Sequence, residues 1–344
     1  MKFIRMIFFP FSVLYAWIMN YRNRQFDNGQ RSQTKFDRTV ISVGNLSTGG
    51  TGKTPTIEFL IRLLKDEFRL ATISRGYGRK TSGFRQANSE DTAETIGDEP
   101  YQFFKKFEND ITVSVCEERV LAIPSLLLDD DSLEVFLLDD AYQHRQVARD
   151  FNIMLSDFNH PFYEDFVLPA GNLRESRKGA QRADAIIITK CPKDLSESVK
   201  QSIIDRVRVY NAAAPLYFSH INYLPITSVI GDRKPNYAIA LLTGIAKPKL
   251  ILDFLSEDFN VKSHLEYADH YRFRERDIVN IGKKLNDLNL RTLVTTEKDM
   301  VRLLPFKDHS IFKNIDLFYL PIAFEIDRPK EFKEQLFQVV EKVN

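Results

Sequence analysis

The residues with the clearest chemical purpose form the string Gly44-Asn-Leu-Ser47-Thr48-Gly49-Gly50-Thr51-Gly52-Lys53-Thr54. It follows the apolar run Val40-Ile-Ser-Val43 and precedes an amphipathic stretch. Strand, glycine-rich loop, Gly-Lys-Thr and helix is the arrangement in which backbone N–H groups and a helix N-terminus cradle the phosphates of a nucleotide. In that role residues 47–54 surround the phosphate chain, Lys53 reaches the β/γ-phosphates and the Thr54 hydroxyl binds Mg²⁺. Ser47 stands where the usual pattern has its first glycine, with Gly49 and Gly50 supplying flexibility nearby. A glycine turn without a ligand is the competing reading, and the coincidence of strand, Gly-Lys-Thr and helix argues against it.

A nucleotide site of this kind needs a carboxylate for the metal, usually at the end of an apolar strand. Val135-Phe-Leu-Leu-Asp139-Asp140 has that form, so Asp139 or Asp140 is expected to face Thr54 across the ion. A solvated strand end is the weaker alternative, because Gln143 and His144 follow at once. Further on, Ala185-Ile-Ile-Ile-Thr189-Lys190-Cys191-Pro192 occupies the place where GTP-binding P-loop proteins carry Asn-Lys-x-Asp. Pro192 stands where the guanine-reading aspartate would be, which favours ATP over GTP.

Holding these groups requires a layered sheet. Apolar, often β-branched runs at 39–43, 70–73, 111–115, 134–138, 152–155 and 185–189 read as strands, with helices expected at 53–67, 117–128 and 195–210. Strands separated by helix-length segments imply parallel pairing and an α/β fold. A second round begins near Tyr237, with strands expected at 238–243, 261–265 and 292–295 and helices at 250–255 and 275–288. Residues 216–226 and 316–324 alternate at period two and are expected to pair as a two-stranded connector. The reading is an N-terminal helix over 1–25, a P-loop domain over 26–225 and a smaller α/β domain over 226–344 ending in a helix at 330–343.

Composition agrees with this plan. The 344-residue chain is 43% apolar and 28% charged, which excludes disorder, a collagen-like fibre and a multi-span membrane protein. Two cysteines, Cys116 and Cys191, offer neither a disulfide framework nor a zinc cluster, so a reducing cytosolic compartment is expected. The net charge of +1 hides an asymmetry: residues 1–38 carry +5 and the rest of the chain −4. From Met6 to Tyr21 no side chain is charged. A helix of that length is about 24 Å long, too short to span a bilayer comfortably, and no small-residue cleavage site follows it. An interfacial anchor with flanking cations on anionic headgroups is one expectation; an apolar helix packed on the protein's own core is the other. Pro10 either kinks this helix or marks its start.

The strings Val43–Pro55, Ser74-Arg-Gly-Tyr-Gly-Arg79, Gly97-Asp-Glu-Pro100, Leu138-Asp-Asp-Ala-Tyr-Gln-His144, Pro169-Ala-Gly-Asn-Leu-Arg-Glu175 and Asp269-His-Tyr-x-Phe273 resemble the signature blocks of the tetraacyldisaccharide 4′-kinase family. These are the lipid A 4′-kinases of Gram-negative bacteria, and the blocks run in the family's order. The resemblance implies transfer of the γ-phosphoryl group of ATP, with Mg²⁺, to the 4′-hydroxyl of a tetraacylated glucosamine disaccharide 1-phosphate. It implies a peripheral enzyme at the cytoplasmic face of the inner membrane, bound to its anionic surface through the N-terminal helix. No nucleic acid and no obligate protein partner are expected.

By the same resemblance Asp98 is the base, oriented by His270, and Glu99 joins Asp139 and Asp140 in the magnesium shell. Arg119, Arg174 and Arg177 are candidates for holding the substrate or the γ-phosphate through forked hydrogen bonds, and His144 and Glu175 are expected, with Arg119 and Arg174, as substrate contacts. Arg75 and Tyr77 either shape the pocket or merely sit in a tight turn, and Thr295-Thr-Glu-Lys-Asp299 reads as a solvated helix start. His160, His220, His264 and His309 read as surface or loop residues. Ala141-Tyr142 and Lys247 depart from the family's pattern. A membrane-docked P-loop NTPase switch, or a small-molecule kinase whose N-terminal helix packs on its core, would share the same phosphate loop.

Overall fold

A computed structural model describes residue 5 and residues 7–230, 233–245, 248–269 and 271–343. His270 and Lys247, singled out above, lie outside the described residues. The first strands are β1 (Thr39–Asn45), β2 (Leu70–Ser74), β3 (Arg85–Gln86), β4 (Thr112–Val115), β5 (Val135–Asp139), β6 (Phe151–Asp157), β7 (Ala185–Thr189) and β8 (Leu216–Tyr223). A second set comprises β9 (Thr227–Ser228), β10 (Ala238–Thr243), β11 (Asn260–Glu266), β12 (Thr292–Thr296) and β13 (Asp316–Leu320), followed by β14 (Ile322–Ile326).

Among the described residues these strands form two sheets, ordered β14-β8-β7-β6-β1-β5-β2-β4-β3 and β11-β10-β12-β13-β9. The larger sheet is parallel from β8 to β4, and its edge strands β14 and β3 run antiparallel. Parallel strands covered on both faces read as continuous apolar runs, and every residue of β1, β5 and β7 is buried. Alternate side chains enter different layers. Ile41, Leu137, Ile153 and Ile187 meet α2 (Lys53–Leu64) and α4 (Asp98–Phe107), which follows the short α3 (Ala93–Ile96). On the other face Val40, Phe136 and Leu138 meet α5 (Arg119–Asp129), while Met154, Ile186 and Ile188 meet α6 (Glu197–Arg208).

The smaller sheet repeats the design, with α7 (Lys249–Asp258) under one face and α8 (Glu275–Asp287) under the other. α9 (Glu297–Leu303) follows β12 directly. The expected two-stranded connector is present, but Pro225 and Pro321 divide it between the sheets. β8 pairs with β14 in the larger sheet, while β9 pairs with β13 in the smaller. Proline cannot donate to the ladder, so the ribbon breaks there and each half continues its own sheet.

Two placements differ from the sequence reading. The terminal helix α10 (Pro329–Val343), expected with the 226–344 unit, buries Phe332, Leu336 and Val340 with Ile41 and Leu137 of the larger sheet and Ile57 of α2. The residues around Thr295–Asp299 are not solvated: Thr295, Glu297, Asp299 and Arg302 are all buried.

The N-terminal α1 (Phe9–Asp27) meets the body chiefly through polar groups. Ser12 Oγ accepts from the Ala170 N–H (2.9 Å), Asn20 Oδ1 from Ser176 Oγ (2.7 Å), and Asn23 Nδ2 donates to Glu175 (2.6 Å). Phe11, Val13, Leu14, Trp17, Ile18 and Tyr21 are exposed, Trp17 at 65%. No described helix is long and apolar enough to cross a membrane.

Candidate active site

The phosphate loop leaves the end of β1 and enters α2. Gly44 is required because a Cβ there would lie 2.7 Å from Cβ and 2.8 Å from the backbone nitrogen of Tyr142. Gly52, the residue before α2, has φ +86°, a region that favours glycine. Its carbonyl accepts from Thr56 N (3.1 Å) and Oγ1 (2.8 Å), which fixes the first turn of α2. The segment 166–175 braces the outer side of the loop: Thr48 N donates to the Asn172 carbonyl (2.7 Å) and Arg174 N to the Leu46 carbonyl (2.7 Å). Lys53 and Thr54 thus open a helix whose free N–H groups and dipole favour an anion.

β5 is the neighbour of β1, with Val43 opposite Asp139, so register alone carries the paired aspartates to the loop. Asp140, in the left-handed region at φ +46°, lies 3.6 Å from Lys53 Nζ and receives a forked pair of hydrogen bonds from Arg174 (2.9 and 3.2 Å). Burial works to raise its pKa, but Lys53 and Arg174 outweigh it and hold the carboxyl below its ordinary value. Asp139 is the opposite case. Burial first, then the charges of Glu99 and Asp140, push it up to about 6. Its Oδ2 accepts from Ser74 Oγ (3.3 Å), while the buried Oδ1 has no hydrogen-bond partner.

An unpartnered buried carboxylate oxygen in an acid-rich corner at the end of β5 fits a hard divalent cation with oxygen ligands. Among the described residues no three acidic, histidine or cysteine side chains converge as a ready-made metal cage. Glu99, expected beside the two aspartates, is paired with Lys298 at 3.0 Å. Magnesium in phosphate-binding sites uses one or two carboxylates and takes its remaining ligands from phosphates and water, so such a cage is not required.

Asp98 opens α4 after Gly97, and its Oδ2 accepts from Nε (3.0 Å) and Nη2 (2.7 Å) of Arg302. Arg302 belongs to α9, so this pair ties the two sheets together. Lys106 of α4 makes a second tie, donating to Glu58 of α2 and to Glu297 of α9, both at 2.6 Å. Arg302, Lys298 and Glu297 were not among the site residues expected from sequence. The available signal was Thr295–Asp299 at a strand end in front of an arginine.

The expected substrate contacts separate into two groups. Arg174 stands at the loop on Asp140, while Arg119 is buried with Nη2 on the Asp139 carbonyl (3.2 Å). His144 is pushed down to about 4 by burial and then by Arg119, Arg149, Arg22 and Arg75, and its buried Nε2 has no partner. It is therefore a neutral imidazole in a cationic neighbourhood. Glu175 is placed differently from the expectation. It is 1% exposed, and its oxygens are occupied by Asn23 (2.6 Å), Gln143 (2.9 Å) and Arg182 (2.8 Å), so it binds α1 to the body. In the departure at Ala141-Tyr142, the added hydroxyl donates to the Gly179 carbonyl at 2.7 Å.

Sheet order, loop and neighbouring acidic strand end define the class: an α/β protein with the phosphate loop of nucleotide-binding P-loop proteins. A model of the tetraacyldisaccharide-1-P 4′-kinase family matches residues 4–341. The chain is 42% identical over 350 residues to the tetraacyldisaccharide 4′-kinase of Flavobacterium johnsoniae, covering 99% of each. It is 40% identical over 332 residues to that of Bacteroides fragilis, covering 92% of this chain and 88% of the relative. The crystal structure titled as the "apo" form of LpxK from Aquifex aeolicus in complex with ATP superposes with a TM-score of 0.76 at 29% identity, covering 98% of this chain and 99% of that one. The chain belongs to the tetraacyldisaccharide-1-P 4′-kinase family.

Proposed function

We propose that the protein transfers the γ-phosphoryl group of ATP to the 4′-hydroxyl of a tetraacylated glucosamine disaccharide 1-phosphate, making lipid IVA. One observation carries the reading: in a chain of this family, Lys53 and Arg174 meet on Asp140 at the mouth of the phosphate loop.

Phosphoryl transfer asks a protein chiefly for position and charge. Backbone N–H groups of residues 49–52 and the start of α2 hold the phosphates, and Lys53 offsets charge on the β/γ oxygens. Thr54 and Asp139 would hold Mg²⁺, with Asp140 and Glu99 near; when bound it neutralises further phosphate charge. The bond from O4′ to the γ-phosphorus forms as the bond to the β–γ bridging oxygen breaks, and ADP leaves. Sugar hydroxyls are weak acids, so Asp98 accepts the proton as the new bond forms rather than beforehand. Arg302 orients Asp98, and by family resemblance His270 does so as well. Arg119 and Arg174, with Arg22 and Arg149 near, give a cationic setting around the neutral His144 that suits an acceptor carrying a phosphate.

The same reading makes α1 an interfacial anchor that holds the enzyme as a peripheral protein on the cytoplasmic face of the inner membrane. Its polar groups meet the body and its apolar side chains face outward, the reverse of a helix on a water-soluble surface. The test is transfer of radiolabelled γ-phosphate from ATP to a detergent-solubilised acylated disaccharide 1-phosphate. Label found only in inorganic phosphate would replace the kinase with an NTPase switch.

A further inference from the structure

Two consecutive side chains at the end of β7 hold two consecutive carbonyls of the phosphate loop. Thr189, the last residue of β7, donates Oγ1 to the Thr51 carbonyl at 2.8 Å. The next residue, Lys190, donates its ammonium to the Gly50 carbonyl and to Asp157 Oδ2, the latter at 2.7 Å. Asp157 ends β6, which lies between β7 and β1, and its other oxygen accepts from Asn159 N at 2.8 Å. The ammonium thus spans from β7 across the end of β6 to the loop. Thr189 is fixed in turn, because its own carbonyl accepts from Phe158 N at 2.9 Å. Lys190 has φ +59°, a region that glycine or asparagine enters more easily, so a long cationic side chain there gains nothing from the backbone.

In a trans peptide the C=O and the following N–H point in opposite directions. Holding the Gly50 carbonyl toward Lys190 turns the Thr51 N–H the other way. Holding the Thr51 carbonyl toward Thr189 does the same for the Gly52 N–H. Neither N–H has an acceptor among the described residues, and both belong to the stretch that cradles phosphate. A cationic donor on the carbonyl also polarises its peptide, which strengthens the N–H as a donor.

We propose that Lys190 and Thr189 are positioning residues for the nucleotide's phosphates, a clamp that presets two loop N–H groups to face the β/γ-phosphate chain. The proposal rests on the reading of residues 47–54 as the ATP-phosphate loop. It also gives Lys190 a part other than base recognition, since it acts on the loop's backbone.

The test is titration of the full-length protein in detergent with ATP, AMP and inorganic tripolyphosphate, comparing Lys190→Met, Lys190→Arg, Thr189→Val and Lys53→Ala. Lys190→Met is expected to weaken ATP and tripolyphosphate by about 10- to 100-fold, the range of one charged hydrogen bond, while AMP changes by less than about 3-fold. Lys190→Arg should recover most of the loss, and Thr189→Val should show a smaller loss of the same kind. In turnover assays the defect should appear in KM for ATP more than in kcat. Equal losses of AMP and ATP, or parental ATP affinity in Lys190→Met and Thr189→Val, would overturn the clamp. If Lys53→Ala abolishes ATP binding while the other variants are silent, the clamp alone falls. If Lys53→Ala binds ATP normally, the loop reading falls and the clamp with it.

Discussion

Arg302 reaches from the smaller sheet to Asp98 on the larger one and gives a single carboxylate oxygen two donors, at 3.0 and 2.7 Å. Its remaining nitrogen, Nη1, donates to Asp299 Oδ1 (2.8 Å) and to the Gly244 carbonyl (3.2 Å). Asp299 is fully buried and is itself held by the Gly244 N–H and by Thr296 Oγ1. The carboxylate proposed to accept the proton therefore takes its orientation from a buried assembly on the opposite sheet. How the sheets sit together becomes part of how the acceptor hydroxyl is met.

Replacing Arg302 by Ala is expected to lower kcat by about 100-fold, since an error of about 1 Å in a reacting group has that effect. Affinity for ATP should stay within a few-fold, because the phosphate loop is untouched. Leaving Asp299 buried without its cation should also cost about 3–5 kcal/mol of stability, and Lys at this position should recover part of both losses. Urea melts and turnover on one preparation check this. A variant that is destabilised but turns over normally would reduce the pair to a structural tie.

Asp139 predicts an inverse pH effect on the metal-free protein. Its carboxyl ordinarily titrates at 3.8 and is raised to about 6 by burial, Glu99 and Asp140. The native state thus binds this proton more tightly than the unfolded chain does. The group's contribution to stability is fully present below about pH 4 and is lost as pH rises through about 6. At about 1.4 kcal/mol per pKa unit the loss is roughly 3 kcal/mol by pH 7.5. With chelator present, Asp139→Asn should be more stable than the parent at pH 7.5, and the difference should shrink toward pH 4. A difference that stays constant with pH would exclude this cause.

The larger sheet was readable because both its faces are covered, so its strands are unbroken apolar runs such as Val135–Leu138. The phosphate loop was readable because its glycines answer to local geometry. Arg302 was not. An N-cap threonine with acids in the first turn looks the same whether the helix start is exposed or buried. Here the deciding partner, Asp98, is 204 residues away. The terminal helix shows the same limit: its period marks Phe332, Leu336 and Val340 as one buried face without saying which sheet covers it. Adjacent Arg174 and Glu175 also part company, one at the loop mouth and the other sealed under α1, a difference that spacing does not encode.

The outward side of α1 predicts a separable defect. Replacing Phe11, Leu14, Trp17 and Ile18 together by Ser removes exposed apolar surface that touches little of the body. At about 1.5–3 kcal/mol per large side chain buried in the bilayer, binding to anionic vesicles should weaken by more than about 100-fold. Folding and ATP affinity should be unchanged. Vesicle co-sedimentation and ATP titration of the same variant decide it, and parental vesicle binding would remove α1 as the anchor.

Glu175 separates two roles that sequence alone merges. If it meets the sugar, Glu175→Gln should raise KM for the acceptor and leave the N-terminal helix in place. The structure instead gives its oxygens three protein donors, two of them the half-buried Arg182 and the α1 residue Asn23. Glu175→Ala should then leave a half-buried guanidinium without its carboxylate, at a cost of about 2–3 kcal/mol. The junction of α1 with the body should become open to proteolysis, while ATP affinity stays at the parental level. Glu175→Gln keeps the shape and one acceptor oxygen for Gln143 and Arg182, so it should lose less, about 1 kcal/mol. Limited proteolysis beside acceptor kinetics distinguishes the cases: a raised acceptor KM with α1 still protected would return Glu175 to the substrate.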